Sequence, residues 1–570
     1  MGDGTCDTPA PTPAPTPRPS AAPTPAPTRE PTGEPTPAPV GAWAAAWDSS
    51  AARAEANAVR AMLSDYYDEP SSRILRHTVY LKPGDAKYEA GLDFIADKMA
   101  RALVHRRPFV VATLGSSVTA GHDCCNYDSY QRQLARLLAP VFAAGGVDFV
   151  VRNVGQGGGC GDDYRNQPFC VRHMAGDDAD ILHYSWSYFE AGGRTTPAWR
   201  ETMARWGLLM EHSPAMHVVN VAEQFTDAQC GAKFGEALFW ERYAPFGANI
   251  VCLQTGMKLD GRWGGKEWGH VGNGRHSTTR YGEPSSSYMT DLVARVGAAA
   301  GAVRTDSLGV VFRNWHPGPL GFQMVADGFA YYYAAALLRA LDKVDAAKAA
   351  GGDAAAMWPR VPRLLSKADL PVTVACEEEI CDVEEPPGCY NFEDPTYGQP
   401  QIYIKPASDA LNPLHALGLV GAGDTGWERW VAAPNDKIPR TEKALPECAH
   451  LDHCSAMRPV SAATPAESGW ITFQLPAEMK LGRVFVCCCC GKTCVQQAFF
   501  DTEAEFIFDG KALDPATFTQ GWPNEKCLVV QDRFSGTQSN AMGHLHLSVK
   551  FNKPLNTGGS IMGISHVVAM

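Results

Sequence analysis

A chain of 570 residues with 45% hydrophobic and 20% charged residues exceeds one ordinary core, so at least two domains of a globular protein are expected. A net charge of −12 without a basic tract excludes phosphate-backbone binding as a main task, and no nucleic-acid partner is expected. No apolar run reaches the length of about 18 residues that a membrane-spanning helix needs, so no membrane span is expected.

The chain opens with Met1-Gly-Asp-Gly-Thr-Cys6, which has neither a basic n-region nor an apolar h-region, so no secretory signal is visible there. From Thr8 to Pro39 it is nearly pure Thr-Pro-Ala-Pro repeat, which reads as an extended stalk over residues 1–40, O-glycosylated if it enters the secretory pathway. Against the missing signal stand 18 cysteines, clustered as disulfide partners would be, and these make a secreted or extracellular protein the expectation.

Leu92, Ile95, Met99 and Leu103 form one stripe of an amphipathic helix between Tyr88 and Arg107. The six residues Phe109 to Leu114 then read as a buried parallel strand running into a Gly/Ser turn. Tyr130, Leu134, Leu137, Leu138 and Val141 predict a second helix, and Val147 to Val151 a second strand leading to Asn153 and a glycine run, Gly157-Gly158-Gly159. Further strands are predicted over Ala179–Trp186, Met216–Ala222 and Asn249–Thr255, with helices striped by Trp199, Met203, Trp206 and Met210, over Tyr288–Ala300 and over Pro317–Val344. Strands alternating with helices build a parallel sheet with right-handed crossovers. The fold class expected is α/β, a three-layer α/β/α sandwich of flavodoxin-like type over residues 75–345. Lys258 to Gly282 reads as a long loop, either a lid or an insertion.

Residues 346–390 read as an acidic linker stapled by Cys376, Cys381 and Cys389. From 391 to 570 the signal is all β: Trp470–Leu475, Arg483–Val486, Glu505–Phe508, Cys527–Gln531 and His544–Phe551. Leu545, Leu547, Val549 and Phe551 fall on one face of the last strand and His544, His546, Ser548 and Lys550 on the other, which implies a C-terminal β-sandwich. Its candidate role is carbohydrate binding. Cys448-Ala-His450-Leu-Asp-His453-Cys454 and Cys487–Cys490 contain zinc-ligand types, but adjacent ligands fit tetrahedral spacing poorly and disulfides explain the same residues. No metal and no cofactor are expected.

Gly115-Ser116-Ser117-Val118-Thr119-Ala120-Gly121 resembles the first block of the SGNH (GDSL-type) hydrolases, with Ser116 where the family has Asp. Arg313-Asn314-Trp315-His316-Pro317, before a long apolar helix, resembles the family's last block, Asp-x-x-His-Pro. The resemblance implies Ser117 as nucleophile, His316 as general base, and an oxyanion hole made by the Ser117 backbone N–H and Gly158, with Gly157 and Gly159 as competitors. Two positions depart from the pattern. Phe189 stands where the family has its oxyanion asparagine, in Ser187-Tyr188-Phe189-Glu190, leaving Ser185, Ser187 or Tyr188 as the nearest substitutes. Arg313 stands where the triad acid belongs and cannot accept from imidazole, so Asp306 is the first choice of orienting acid, Asn314 or a bare dyad the others.

The implied reaction is hydrolysis of an ester, with an acetylated polysaccharide as one candidate partner. A non-catalytic matrix or carbohydrate-binding protein on the same fold, and an O-acyltransferase using the same Ser/His pair, are the alternatives.

Overall fold

The computed structural model describes residues 47–69, 75, 79, 81, 83–120, 129–155, 170–187, 190, 197–219, 237–251, 312–313, 316–317, 319–376, 381, 386–391, 427–431, 455–459, 470–475, 482–489, 504–520, 527–532, 545–551, 556–557, 560–561 and 563–570. The chain divides into a unit ending at Trp47, of which only Trp47 is described, and a unit from Asp48 to Met570. The Thr/Pro stalk, the Lys258–Gly282 loop, the Tyr288–Ala300 helix and the Cys448–Cys454 cluster lie outside the described residues.

Helix α1 (Ser50–Tyr66) precedes the start of the expected α/β domain. Helix α2 (Ala86–His105) carries the stripe read from the sequence, with Leu92, Ile95, Met99 and Leu103 all buried. Asp85 caps it by accepting from the Lys87 N–H at 2.8 Å, and the chain leaves it at Arg106 in the left-handed region. Strand β1 (Phe109–Gly115) is buried throughout, and a short helical turn, α3 (Ser117–Ala120), follows it at once. Next come α4 (Tyr130–Ala144) and β2 (Phe149–Asn153). That strand starts two residues later than its apolar run because Val147 N–H is bonded back to Phe142 O at 3.1 Å, closing α4 through Gly146 at φ +73°.

A short helix α5 (Val171–Ala175) leads to β3 (Ile181–Ser185), α6 (Pro197–Leu208) to β4 (Ala215–Val219), and α7 (Ala237–Tyr243) to β5 (Asn249–Val251). A two-residue pair, β6 (Phe312–Arg313) and β7 (His316–Pro317), precedes the long helix α8 (Pro319–Ala349).

The five main strands are parallel in the order β2-β1-β3-β4-β5. Helices cover both faces. Tyr130 of α4 and Phe329 of α8 stack on His183 of β3, whereas Leu182, on the opposite face, packs against Gly207 of α6. Helix α1 lies on α8, held by Arg53 to Asp342 at 2.6 Å and Asp345 at 2.9 Å, and by the Tyr67 hydroxyl to Asp327 at 2.8 Å.

Beyond α8, part of the segment read as a linker is fastened to α6 and α7. Glu201 accepts from the backbone N–H groups of Val374, Ala375 and Cys376 at 2.7, 2.6 and 2.7 Å, and Arg242 donates to the carbonyls of Val372 and Thr373. Cys376 pairs with Cys381, but Cys389 pairs with Cys170, bridging the α/β layer to strand β8 (Gly388–Asn391).

The C-terminal region is antiparallel β: β9 (Trp427–Val431), β10 (Ser455–Pro459), β11 (Trp470–Leu475), β12 (Val484–Cys489), β13 (Ala504–Phe508), β14 (Lys511–Leu513), β15 (Thr519–Gln520), β16 (Cys527–Gln531), β17 (Leu545–Phe551), β18 (Asn556–Thr557), β19 (Ser560–Ile561) and β20 (Gly563–Ala569). One sheet runs β15-β16-β12-β20-β10-β9 with β8 also on β20, and another runs β11-β17-β13-β14. Their inner faces share a core that includes Phe473, Val486, Phe506, Leu547, Phe551 and Val567. On β17 the apolar alternation holds, yet His546 and Ser548 of the other face are buried too, Ser548 bonded to Thr472 of β11 at 2.8 Å. Cys487 joins Cys527 across β12 and β16.

Candidate active site

Chain connections reverse direction at β1, which has β2 on one side and β3 on the other. Ligands on open parallel sheets bind outside the carboxyl ends of the strands at such a point. The residue following β1 there is Ser116, fully buried, and the next is Ser117, first residue of α3. Gly115 permits the turn: a Cβ on it would overlap the Thr119 hydroxyl and stand 2.8 Å from Ser185 Cβ. Below it, Gln131 of α4 donates to Thr113 Oγ1 at 3.0 Å and to the Thr119 carbonyl at 2.9 Å, tying α3 to the sheet.

His316 lies in β7, its Cα paired with that of Arg313 across the β6/β7 hairpin, immediately before α8. The backbones of α3 and β7 adjoin, with Cα atoms within 8 Å. Segments far apart in sequence, one bearing Ser117 and the other His316, thus meet beside the carboxyl end of β1. Gly158 and Asp306 lie outside the described residues, as do Gly157, Gly159, Asn314, Tyr188 and Phe189.

Of the substitutes for the asparagine, Ser187 donates its hydroxyl to Val219 O at 2.8 Å, and Ser185 lies in register with Gly115. Glu190 forms a buried pair with Arg200 at 2.6 Å, the guanidinium lying 4.6 Å over the Phe239 ring. This pair sits just past β3 and holds the start of α6 to the end of that strand.

Deeper on the same face of the sheet runs a polar chain that sequence patterning does not single out. The Tyr333 hydroxyl of α8 lies 2.7 Å from His183 Nε2 and 2.6 Å from His217 Nδ1, and His217 Nε2 lies 3.0 Å from the Gly247 carbonyl. A carbonyl only accepts, so His217 carries its proton on Nε2 and takes the Tyr333 proton on Nδ1. Tyr333 oxygen then accepts from His183 Nε2–H. Burial holds His217 down to about 3 and His183 well below the usual histidine range, and holds the Tyr333 hydroxyl well above its own. Both imidazoles are therefore neutral. The sequence shows only a histidine inside each of two apolar strand runs, and the structure puts the two in register on adjacent strands.

No protein-family model matches the chain, and no curated protein matches it. Among solved structures it is similar to a two-domain esterase active on acetylated mannans, co-crystallized with mannopentaose, at 16% identity over 84% of this chain and 97% of that one, with a TM-score of 0.30. A second crystal structure of such an esterase matches at the same identity and coverage with a TM-score of 0.28. Among the described residues no group of His, Cys, Asp and Glu is arranged to hold a metal ion, and no helix is long and apolar enough to cross a membrane.

Proposed function

We propose that this chain is a serine ester hydrolase of SGNH type. The observation that carries the reading is the meeting of the Ser117 turn and the His316–Pro317 segment beside the carboxyl end of β1, at the point where the sheet's connections reverse. The two segments have no local reason to be neighbours, and each bears the residue type that acyl transfer needs. Ser117 attacks the acyl carbonyl while His316 takes its proton, and His316 returns that proton to the departing alcohol. Water then repeats the cycle on the acyl-enzyme. The Ser117 backbone N–H and Gly158 donate to the oxyanion, and Asp306 orients His316 in place of an acid at Arg313. The substrate proposed is an O-acylated, in particular acetylated, polysaccharide, with the β-sandwich as its carbohydrate-binding partner domain. Three disulfides among the described residues support an extracellular setting.

Hydrolysis of p-nitrophenyl acetate by the purified full chain tests the reading. Ser117→Ala and His316→Ala are each expected to lose turnover by about a thousandfold or more with circular dichroism unchanged. Equal rates in all three proteins would overturn the assignment and favour a non-catalytic binding protein, a reading to which Arg313 opposite His316 lends support.

A further inference from the structure

Lys98 of α2 is 3% exposed, and its amine is turned inward to the segment that leads into β4. There it donates to the His212 carbonyl, just before β4, and lies 4.8 Å from the centre of the Phe94 ring, one turn back on its own helix. Asp180, before β3, and Arg107, after α2, both face it, as do Arg101 and Asp97 of α2 itself, and Glu211 adjoins His212. The carboxylates are already committed. Asp180 holds Arg107 through both guanidinium nitrogens together with the Val110 N–H, and Asp97 holds Lys343 at 2.9 Å and Trp358 Nε1 at 3.1 Å.

An ammonium brings three donors and a full charge into such a place, whereas an amine brings fewer donors and no charge. Among the described residues the His212 carbonyl is the acceptor within hydrogen-bond distance of this nitrogen. Protonation therefore leaves donors unpaired beside the Arg101 and Arg107 guanidiniums, with the Phe94 ring as partial compensation. Burial, opposed by Asp180 and aided by Arg101 and Arg107, holds the amine down to about 7. Burial also lowers His212 below the usual histidine value, so that ring is uncharged above pH 7. We propose that Lys98 is a proton-sensitive joint: as a neutral amine it fastens α2 to the segment entering β4, and taking up a proton loosens that segment. The joint lies at the amino ends of the parallel strands, away from the Ser117 turn, and is independent of the reaction proposed above.

An unfolded lysine titrates near about 10.4, so between about pH 7 and 10 the native state binds fewer protons than the unfolded state. The contribution to stability is complete above that window and is lost as pH falls to about 7. Urea unfolding of the full chain between about pH 7 and 9.5 is compared with that of Lys98→Met, which keeps the length of the side chain and takes no proton. The ratio of the two folding constants is expected to change by about tenfold per pH unit, and a ratio independent of pH overturns the proposal. Hydrogen exchange of the wild-type chain, corrected for the intrinsic pH dependence of exchange, decides the matter even where the variant fails to fold. Protection of the amides flanking His212 should fall by about tenfold per pH unit from about pH 9 to 7, relative to the amides of β1. Protection that keeps pace with β1 throughout overturns the joint equally.

Discussion

Gly115 and Asp180 show how single residues hold the carboxyl and amino ends of the central strands. A side chain at position 115 meets Thr119 and Ser185 from two elements at once, so Gly115→Ala is expected to displace the Ser117 turn. The measurement is esterase turnover beside Tm, and both should fall. At the other end Asp180, fully buried, receives Arg107 through both guanidinium nitrogens at 2.6 and 2.9 Å and the Val110 N–H at 3.0 Å. Asp180→Ala leaves Arg107 without its carboxylate partner and a strand N–H unpaired, and about 3 kcal/mol should be lost in urea unfolding. The apolar run Phe109–Leu114 announced β1 plainly, and the Gly/Ser punctuation announced the turn after it. Neither partner of Asp180 could be read from spacing, because an ion pair between chain-distant residues leaves no period.

At the scale of elements, hydroxyls of the long helix α8 help to register it on the sheet: that of Tyr333 on His183 and His217, and that of Tyr332 on Asn249 of β5. Tyr333→Phe leaves His183 Nε2–H without an acceptor and His217 Nδ1 without a donor, and should cost about 3 kcal/mol. The chain also sets an acid limit. Both histidines have folded pKa values below the unfolded value near 6.5, so the native state binds fewer protons than the unfolded state below that pH. Stability is full above pH 6.5 and falls as pH drops, the His217 contribution declining down to about pH 3. Each group contributes a slope of about 1.4 kcal/mol per pH unit. Chemical denaturation between pH 7 and 4 measures this, and a flat profile would remove the neutral-imidazole assignment. The helices α2 and α4 were legible because each has one apolar stripe, and α8 because it is a long apolar run, most of it buried. Helix α1 was not: it is Ala-rich, with only Ala52, Ala56 and Leu63 buried, and its attachment to α8 is through charged residues.

For the whole molecule the decisive links are covalent and local at once. Cys170–Cys389 spans 219 residues, and closing a loop of that length is worth about 5 kcal/mol by chain entropy. Cys170→Ser with Cys389→Ser should therefore lower Tm and, followed by limited proteolysis, bring cleavage near Val372–Cys376, which Glu201 and Arg242 hold. Unchanged protease resistance would show that the Glu201 and Arg242 contacts suffice to hold the junction. Sequence by itself determined the five main strands of the α/β layer, the helices with apolar stripes or runs and the alternating strands of the C-terminal region, since these follow from local period, but it started the last helix at Pro317, where the structure has His316–Pro317 in β7 and begins α8 at Pro319. Tertiary structure alone decided the strand order that puts β1 at the reversal point, the meeting of α3 with β7, the Cys170–Cys389 pairing and the His183–Tyr333–His217 chain. These depend on which distant segments the burial of apolar faces brings together, and that is a property of the packed whole rather than of any window of the chain.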